Sequence, residues 1–202
     1  MLPALGWRVD LEPETLAAAV ECPRGRITEV IGEKSSGRTS VLHSVLAAAT
    51  GRNEFAVLVD ANDSFDPCSA AAAGVELKKL IWIRCAGNVE HAMRAADLVI
   101  HSGGFGVVAV DLAEAADAGL RRIPATTWLR WRRAVEPTRT VLLVVARAPV
   151  AKSCSGLIVE MRRKREIFAG NLLRSAEYEI ARRKPAGEGS ILRSANVCLY
   201  PF

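Results

Sequence analysis

The chain has 202 residues, half of them hydrophobic and 24% charged, with a formal net charge of +5. That length supports one self-sufficient core, and no apolar run reaches the roughly 18 residues a membrane span needs. No charged leader with an apolar stretch opens the chain, which predicts a cytoplasmic protein.

The first strong element is "RITEVI" (26–31), a β-rich run, followed by a Gly-rich loop and a helix from about Arg38 to Thr50. "EFAVLVD" (54–60) has strand length and ends in the turn-prone "ANDSFDP", and "KLIWIRC" (79–85) is a third strand. "NVEHAMRAADLVIHS" (88–102) has helical apolar spacing with Asn88 placed as its N-cap. "FGVVAVDL" (105–112) is a strand, "AEAADAGLRR" a helix, and "IPATTWLRWRRAVE" (123–136) a helix with Pro124 near its start. "TVLLVVA" (140–146) is a fifth strand, and "LIVEMRRKR" (157–165), "AEYEIARRK" (176–184) and "SANVCLY" (194–200) form a terminal meander.

Apolar strands alternating with helices predict an α/β fold: a mostly parallel twisted sheet, helices on both faces and an antiparallel C-terminal edge. "KPAGEGS" (184–190) is too short for a linker, so residues 25–202 read as one domain after a short extension, 1–24.

The five cysteines (Cys22, Cys68, Cys85, Cys154, Cys198) contain no C-x-x-C pair, and read as reduced buried thiols. His43, His91 and His101 form no metal-ligand pattern with them. The basic balance favours anionic partners such as nucleic acid or nucleotide, though a solvated basic face gives the same total.

The segment "GEKSSGRTS" (32–40) has the frame of a phosphate-binding loop, G-x-x-x-x-G-K-[ST], with Arg38 where the motif has lysine. Such a loop turns backbone N–H groups and a helix N-terminus toward phosphates. The candidate nucleotide-binding residues are Gly32, Glu33, Lys34, Ser35, Ser36, Gly37, Arg38, Thr39 and Ser40, unless this is only a serine-rich turn. Arginine keeps the charge but replaces a compact ammonium with a longer planar fork, which predicts weakened ATP and magnesium binding. Asp111, at the end of an apolar strand, is either a metal-holding aspartate or a helix cap. The loop favours the metal-holding role for Asp111, and Thr39 and Asp111 are the expected magnesium ligands only if a nucleotide binds.

These residues carry a resemblance. The loop, "VLVDANDSFDPCSAAAAGVELKKLIWIRC" and "GVVAVDLAEA" resemble the ATPase core of bacterial RecA recombinases, over about Gly25 to Lys184. The resemblance implies a RecA-like phosphate-loop NTPase core and identifies three departures besides Arg38. Asn62 stands where the family has the glutamate that activates water, so no catalytic residue is expected. Asp63 beside it would point to the opposite side of an extended chain. Ser69 replaces the aromatic against adenine, and Ala146–Arg147 replaces the pair that senses the terminal phosphate.

The segments matching the DNA-binding loops are short, and the polymerising helix and C-terminal domain find no counterpart in 202 residues. This pattern resembles ImuA, implying an accessory role in damage-induced (SOS, translesion) mutagenesis. Its implied partners are a RecA filament, an ImuB-like inactive polymerase or single-stranded DNA. The alternative is an ATP-dependent recombinase or DNA-stimulated ATPase.

Candidate interface or DNA residues are Arg130, Arg132 and Arg133 beside Trp128 and Trp131, together with Arg147, Arg182 and Lys184. The last two match the family's basic pair at a strand end. Trp128 and Trp131 are three apart, so they share a helical face that packs in a core or meets bases. "MRRKRE" (161–166) is a further basic run.

Overall fold

A computed structural model describes residues 7–9, 20–169, 172–184 and 191–201, with side-chain surroundings for 20–166, 176 and 178–183. The elements are β1 (Trp7–Val9), β2 (Arg26–Ile31), α1 (Arg38–Gly51), β3 (Ala56–Asp60), α2 (Pro67–Ala72), β4 (Leu80–Arg84) and α3 (Val89–Ser102). They continue as β5 (Val107–Asp111), α4 (Asp117–Arg121), α5 (Ala125–Val135), β6 (Val141–Ala146), β7 (Leu157–Ala169), β8 (Leu172–Lys184) and β9 (Ile191–Pro201).

One nine-stranded sheet runs β1-β9-β8-β7-β2-β6-β5-β3-β4. The six strands from β7 to β4 are parallel, and β8, β9 and β1 add to the β7 side antiparallel. The expected parallel sheet with an antiparallel C-terminal edge is therefore present. Residues 1–6 and 10–19 of the expected extension, and most of the 184–190 turn, lie outside the described residues.

Buried alternate residues divide the sheet into two faces. On one, Val30, Leu58, Ala109 and Leu143 pack under Leu42, Val45, Leu46 and Ala49 of α1. On the other, Ile27, Val57, Val108 and Leu142 pack under Ala92, Ala96 and Ile100 of α3 and Trp128, Trp131 and Val135 of α5. Both faces being covered explains why the central strands read as unbroken apolar runs. Trp128 and Trp131 are core, their rings edge to face at 5.1 Å.

Several boundaries differ from the sequence expectation. α2 begins at the end of the turn-prone 61–67 stretch, over residues to which the sequence assigns no element: Asp66 caps it by accepting from the N–H groups of Cys68 and Ser69, with Pro67 in its first turn. The helix expected over 113–122 shrinks to Asp117–Arg121, because Asp111 and Val145 hold the N–H groups of Ala113 and Leu112. β7 and β8 run longer than expected, since hairpin pairing continues to Ala169 opposite Leu172. Among the cysteines whose side-chain surroundings are described, all free, Cys85 is buried, Cys22 and Cys154 are half-buried, and Cys68 is exposed, so burial does not extend to all of them as expected.

The parallel register sets the C-terminal strand ends level. Asp60 of β3 faces Asp111 of β5, Asp111 faces Val145 of β6, and Ala146 faces Ile31 of β2. The loops leaving these four ends therefore converge on one rim, where ligands bind in open α/β sheets.

Candidate functional site

Gly32 leaves β2 and donates its N–H to the Arg147 carbonyl at 3.2 Å, tying the loop to the end of β6. Ser35 (φ 60°) and Gly37 (φ 92°) take left-handed conformations that curl the loop. Gly37 is the N-cap of α1 and no side chain caps that helix, so its first amides lack a side-chain acceptor. A Cβ at Gly37 would stand 3.0 Å from the Tyr178 ring of β8, which closes one side of the loop.

Residues 34–39 of the loop line a cleft of about 340 Å³ with Leu42 of α1, Ser64 and Phe65 after β3, and Asp111, Ala113 and Glu114 after β5. The structure thus brings Lys34 through Thr39 together with Asp111. Glu33 is exposed beside it, its carbonyl accepting from the Ser36 N–H at 3.1 Å. Half-buried Ser40 accepts at its carbonyl from the Ser44 hydroxyl at 2.8 Å.

Arg38 is only 5% exposed. Its Nη2 lies 3.5 Å from Oε1 of Glu114, and its Nη1 is buried with no hydrogen-bond partner. Burial works against the Arg38 charge, while Glu114 and Asp111 favour it. Ser36, 3% exposed, likewise has an unpartnered Oγ. Arg147, expected to face a partner, reaches the same rim: its Nη2 is 3.4 Å from Oε2 of Glu114 and its Nε donates to the Ala113 carbonyl. Glu114 therefore sits between two guanidinium groups.

Asp111 is 8% exposed and its Oδ1 accepts from the Ala113 N–H at 2.9 Å. Burial pushes its pKa up to about 6, against the opposing Ala113 hydrogen bond. The magnesium ion implied by the resemblance would compete here with a resident cation. Thr39 and Asp111 both line the cleft, but Asp111 has one oxygen committed to Ala113 and lies in the field of the Arg38 guanidinium as well as of the Asp60 and Glu114 carboxylates. Among the described residues no group of three or more His, Cys, Asp or Glu side chains is placed to hold a metal.

The turn after β3 is built by Asp60, which the sequence reading passed over. Fully buried, it accepts at Oδ1 from the N–H groups of Asn62 and Ser64, and at Oδ2 from Phe65 N–H (2.9 Å) and Trp82 Nε1 (3.2 Å). An aspartate ending a buried strand before "AND" was the available signal for such an Asx turn. Phe65, fixed this way, packs edge to face on His43 and on Trp82.

Half-buried Asn62 has a buried Oδ1 with no hydrogen-bond partner. Asp63 faces away from the phosphate loop, but through a left-handed turn (φ 56°) instead of an extended chain. Its carboxylate accepts from Arg84 and from the N–H groups of Cys85 and Ala86, which hold its pKa below the usual range. Ser69 is exposed and donates from both N–H and Oγ to the Asp66 carboxylate.

The basic candidates separate. Arg130 donates from Nε and Nη2 to Oδ1 of Asp97, which also accepts from Trp131 Nε1. Arg132 and Arg133 are exposed. Arg182 is half-buried opposite Val159, its Nε buried and unpartnered. Lys184 pairs through its backbone opposite Ile158, and its side chain lies outside the described residues. No described helix is long and apolar enough to cross a membrane.

The family model "RecA N-terminal domain" matches residues 14–119, more than half of the chain. Over 89 residues, 44% of the chain, it is 37% identical to Protein RecA of Borrelia hermsii, strain HS1 / DAH, and 39% to Protein RecA of Methylococcus capsulatus. Protein RecA of Aquifex aeolicus is 39% identical over the same length. The matched stretch spans about a quarter of each relative (25–26%). With the phosphate loop, the level strand ends and the α/β sheet all in place, the chain belongs to the RecA N-terminal domain family.

Proposed function

We propose that this chain is a RecA-family accessory protein of DNA repair that works by binding and not by hydrolysing ATP, of the kind represented by ImuA in damage-induced mutagenesis. Position 62 carries the reading. Water activation needs a base within hydrogen-bond reach of the attacking water, and Asn62 supplies an amide. The adjacent carboxylate, Asp63, is committed to Arg84, Cys85 and Ala86. The loop cation is engaged as well, Arg38 with Glu114. Partners that fit are a RecA filament, an ImuB-like polymerase or single-stranded DNA, met through exposed arginines such as Arg132 and Arg133.

The second reading, an ATP-dependent recombinase, is favoured by the intact course of the loop and by Asp111 beside it. ATP turnover with magnesium and single-stranded DNA, alongside a pull-down with RecA and with an ImuB-like polymerase, separates the two. The accessory reading expects capture of a partner with turnover far below about 1 per second, the lower end of ordinary enzymes. Turnover near that rate, abolished by Asp111→Ala, would establish the enzyme instead.

A further inference from the structure

The loop's own cation lies inside the site. Arg38 is nine-tenths buried and lines the cleft, one of its terminal nitrogens has no partner, and the other makes a single 3.5 Å contact to Glu114. That contact is longer than a charge-assisted hydrogen bond, which runs about 2.7–2.9 Å. A guanidinium has five N–H donors in a fork suited to phosphate oxygens. Glu114 therefore occupies only part of its capacity. Ser36 adds a second buried, unpartnered donor atom on the same wall. The uncapped amides at the start of α1 add a third kind of donor.

The metal side of the cleft is already supplied with charge. Asp111, the position for a metal-holding carboxylate, turns one oxygen to Ala113, and Arg38 is the positive group in its field, beside the carboxylates of Asp60 and Glu114. A cation added there would have to share these carboxylates with a fixed guanidinium. We infer that this cleft binds the phosphate chain of a di- or triphosphate ligand without a divalent cation, with the Arg38 guanidinium supplying the counter-charge that magnesium supplies in a lysine-type phosphate loop. Glu114 holds that guanidinium in place in the free protein and yields it to phosphate. This deepens the reading of the site as a non-hydrolysing one and rests on it.

The test is calorimetric titration of the full chain with ATP and, separately, with inorganic tripolyphosphate, each in magnesium and in EDTA. Wild type is expected to bind with affinities that differ by less than about threefold between the two conditions. Glu114→Gln, which releases the guanidinium, is expected to tighten binding severalfold in EDTA. Arg38→Lys is expected to make binding magnesium-dependent by about tenfold or more. The tripolyphosphate arm identifies the ligand's source: equal affinity means that phosphate alone is read, and preference for ATP means that the nucleoside contributes. Wild-type binding that requires magnesium, or no binding of either probe by folded protein in either condition, would overturn the inference. So would weaker binding by Glu114→Gln. Hydrolysis measured on the same samples keeps the two ideas apart, since magnesium-dependent binding without turnover defeats this inference and leaves the accessory reading standing.

Discussion

Glu29, inside the sheet on β2, accepts at Oε2 from the main-chain N–H of Val150 at 2.6 Å, 121 residues later in the sequence. The same oxygen accepts from Ala151 N–H, and Oε1 accepts from the Ser155 hydroxyl. A fully buried carboxyl group thus organises the loop between β6 and β7. Truncation would leave two N–H groups and a hydroxyl without their acceptor in a dry setting. Glu29→Ala is expected to lower stability by about 3 kcal/mol in urea unfolding. The loop around residues 150–155 should also become the first site of proteolytic cleavage, with Glu29→Gln milder on both counts.

His43 gives the fold a pH dependence. It is 7% exposed on α1, its Nε2 has no partner, and Phe65 meets its ring edge to face. Burial lowers its pKa from 6.5 to about 4, only partly opposed by Asp66. The unfolded chain therefore binds more protons than the native one between these values, and stability rises with pH across that window. Its contribution is complete above about pH 6.5 and is lost as pH falls toward 4, a difference of roughly 3 kcal/mol. Asp111, raised by burial to about 6, contributes the opposite slope over much of this window, so the check is urea unfolding of wild type beside His43→Leu at about pH 7.5 and 4.5: relative to wild type, the variant should gain stability at the lower pH.

Gly37 is needed for its backbone and for the space beside it. Its φ of 92° disfavours any side chain, and a Cβ would press on the Tyr178 ring. Gly37→Ala is expected to cost about 1–3 kcal/mol and to weaken binding of any phosphate ligand. Adding Tyr178→Ala should recover only the part due to crowding, because the backbone strain remains. A double-mutant cycle on unfolding free energy measures that part.

How much of this was legible follows from where each signal resides. β2 and the start of α1 stand where the residues predict them, because Ile27, Val30 and Ile31 mark a short β-rich run and the Gly-rich loop after it separates strand from helix. Asn88 likewise announces α3, and its side chain accepts from His91 N–H at 3.0 Å. Asp66–Pro67 was ambiguous, since that pair opens turns and also caps helices. The alanines that follow decide for a helix, a segment of only six residues to which the sequence assigns no element after the turn. The Arg38–Glu114–Arg147 arrangement was not legible. It depends on the loops after β2, β5 and β6 meeting at one rim, a product of sheet order that no local pattern contains. Glu29 escaped notice for a similar reason, as a charged residue in an apolar strand whose acceptor role exists only once a distant loop folds over it.

The arginines of α5 divide by what they touch, and that division predicts different outcomes for charge reversal. Arg130 and Trp131 share the Asp97 carboxylate, joining α5 to α3 beside a fully buried indole. Arg130→Glu would place two carboxylates together there and is expected to cost about 1 kcal/mol, more than the removal of an exposed pair alone. Arg132 and Arg133 are exposed, and neither takes part in an ion pair among the described residues. Arg132→Glu with Arg133→Glu is therefore expected to change stability by less than about 0.5 kcal/mol. If α5 is the face that meets an anionic partner, the same double substitution weakens capture by RecA, by the polymerase partner or by single-stranded DNA. Loss of DNA binding alone, with a reduced salt slope, would assign the face to phosphate contacts. Loss of protein capture alone would assign it to an acidic surface. Wild-type binding in all three assays, by a double mutant that unfolds like wild type, would remove α5 and leave the strand end at Arg182 as the surface to test next.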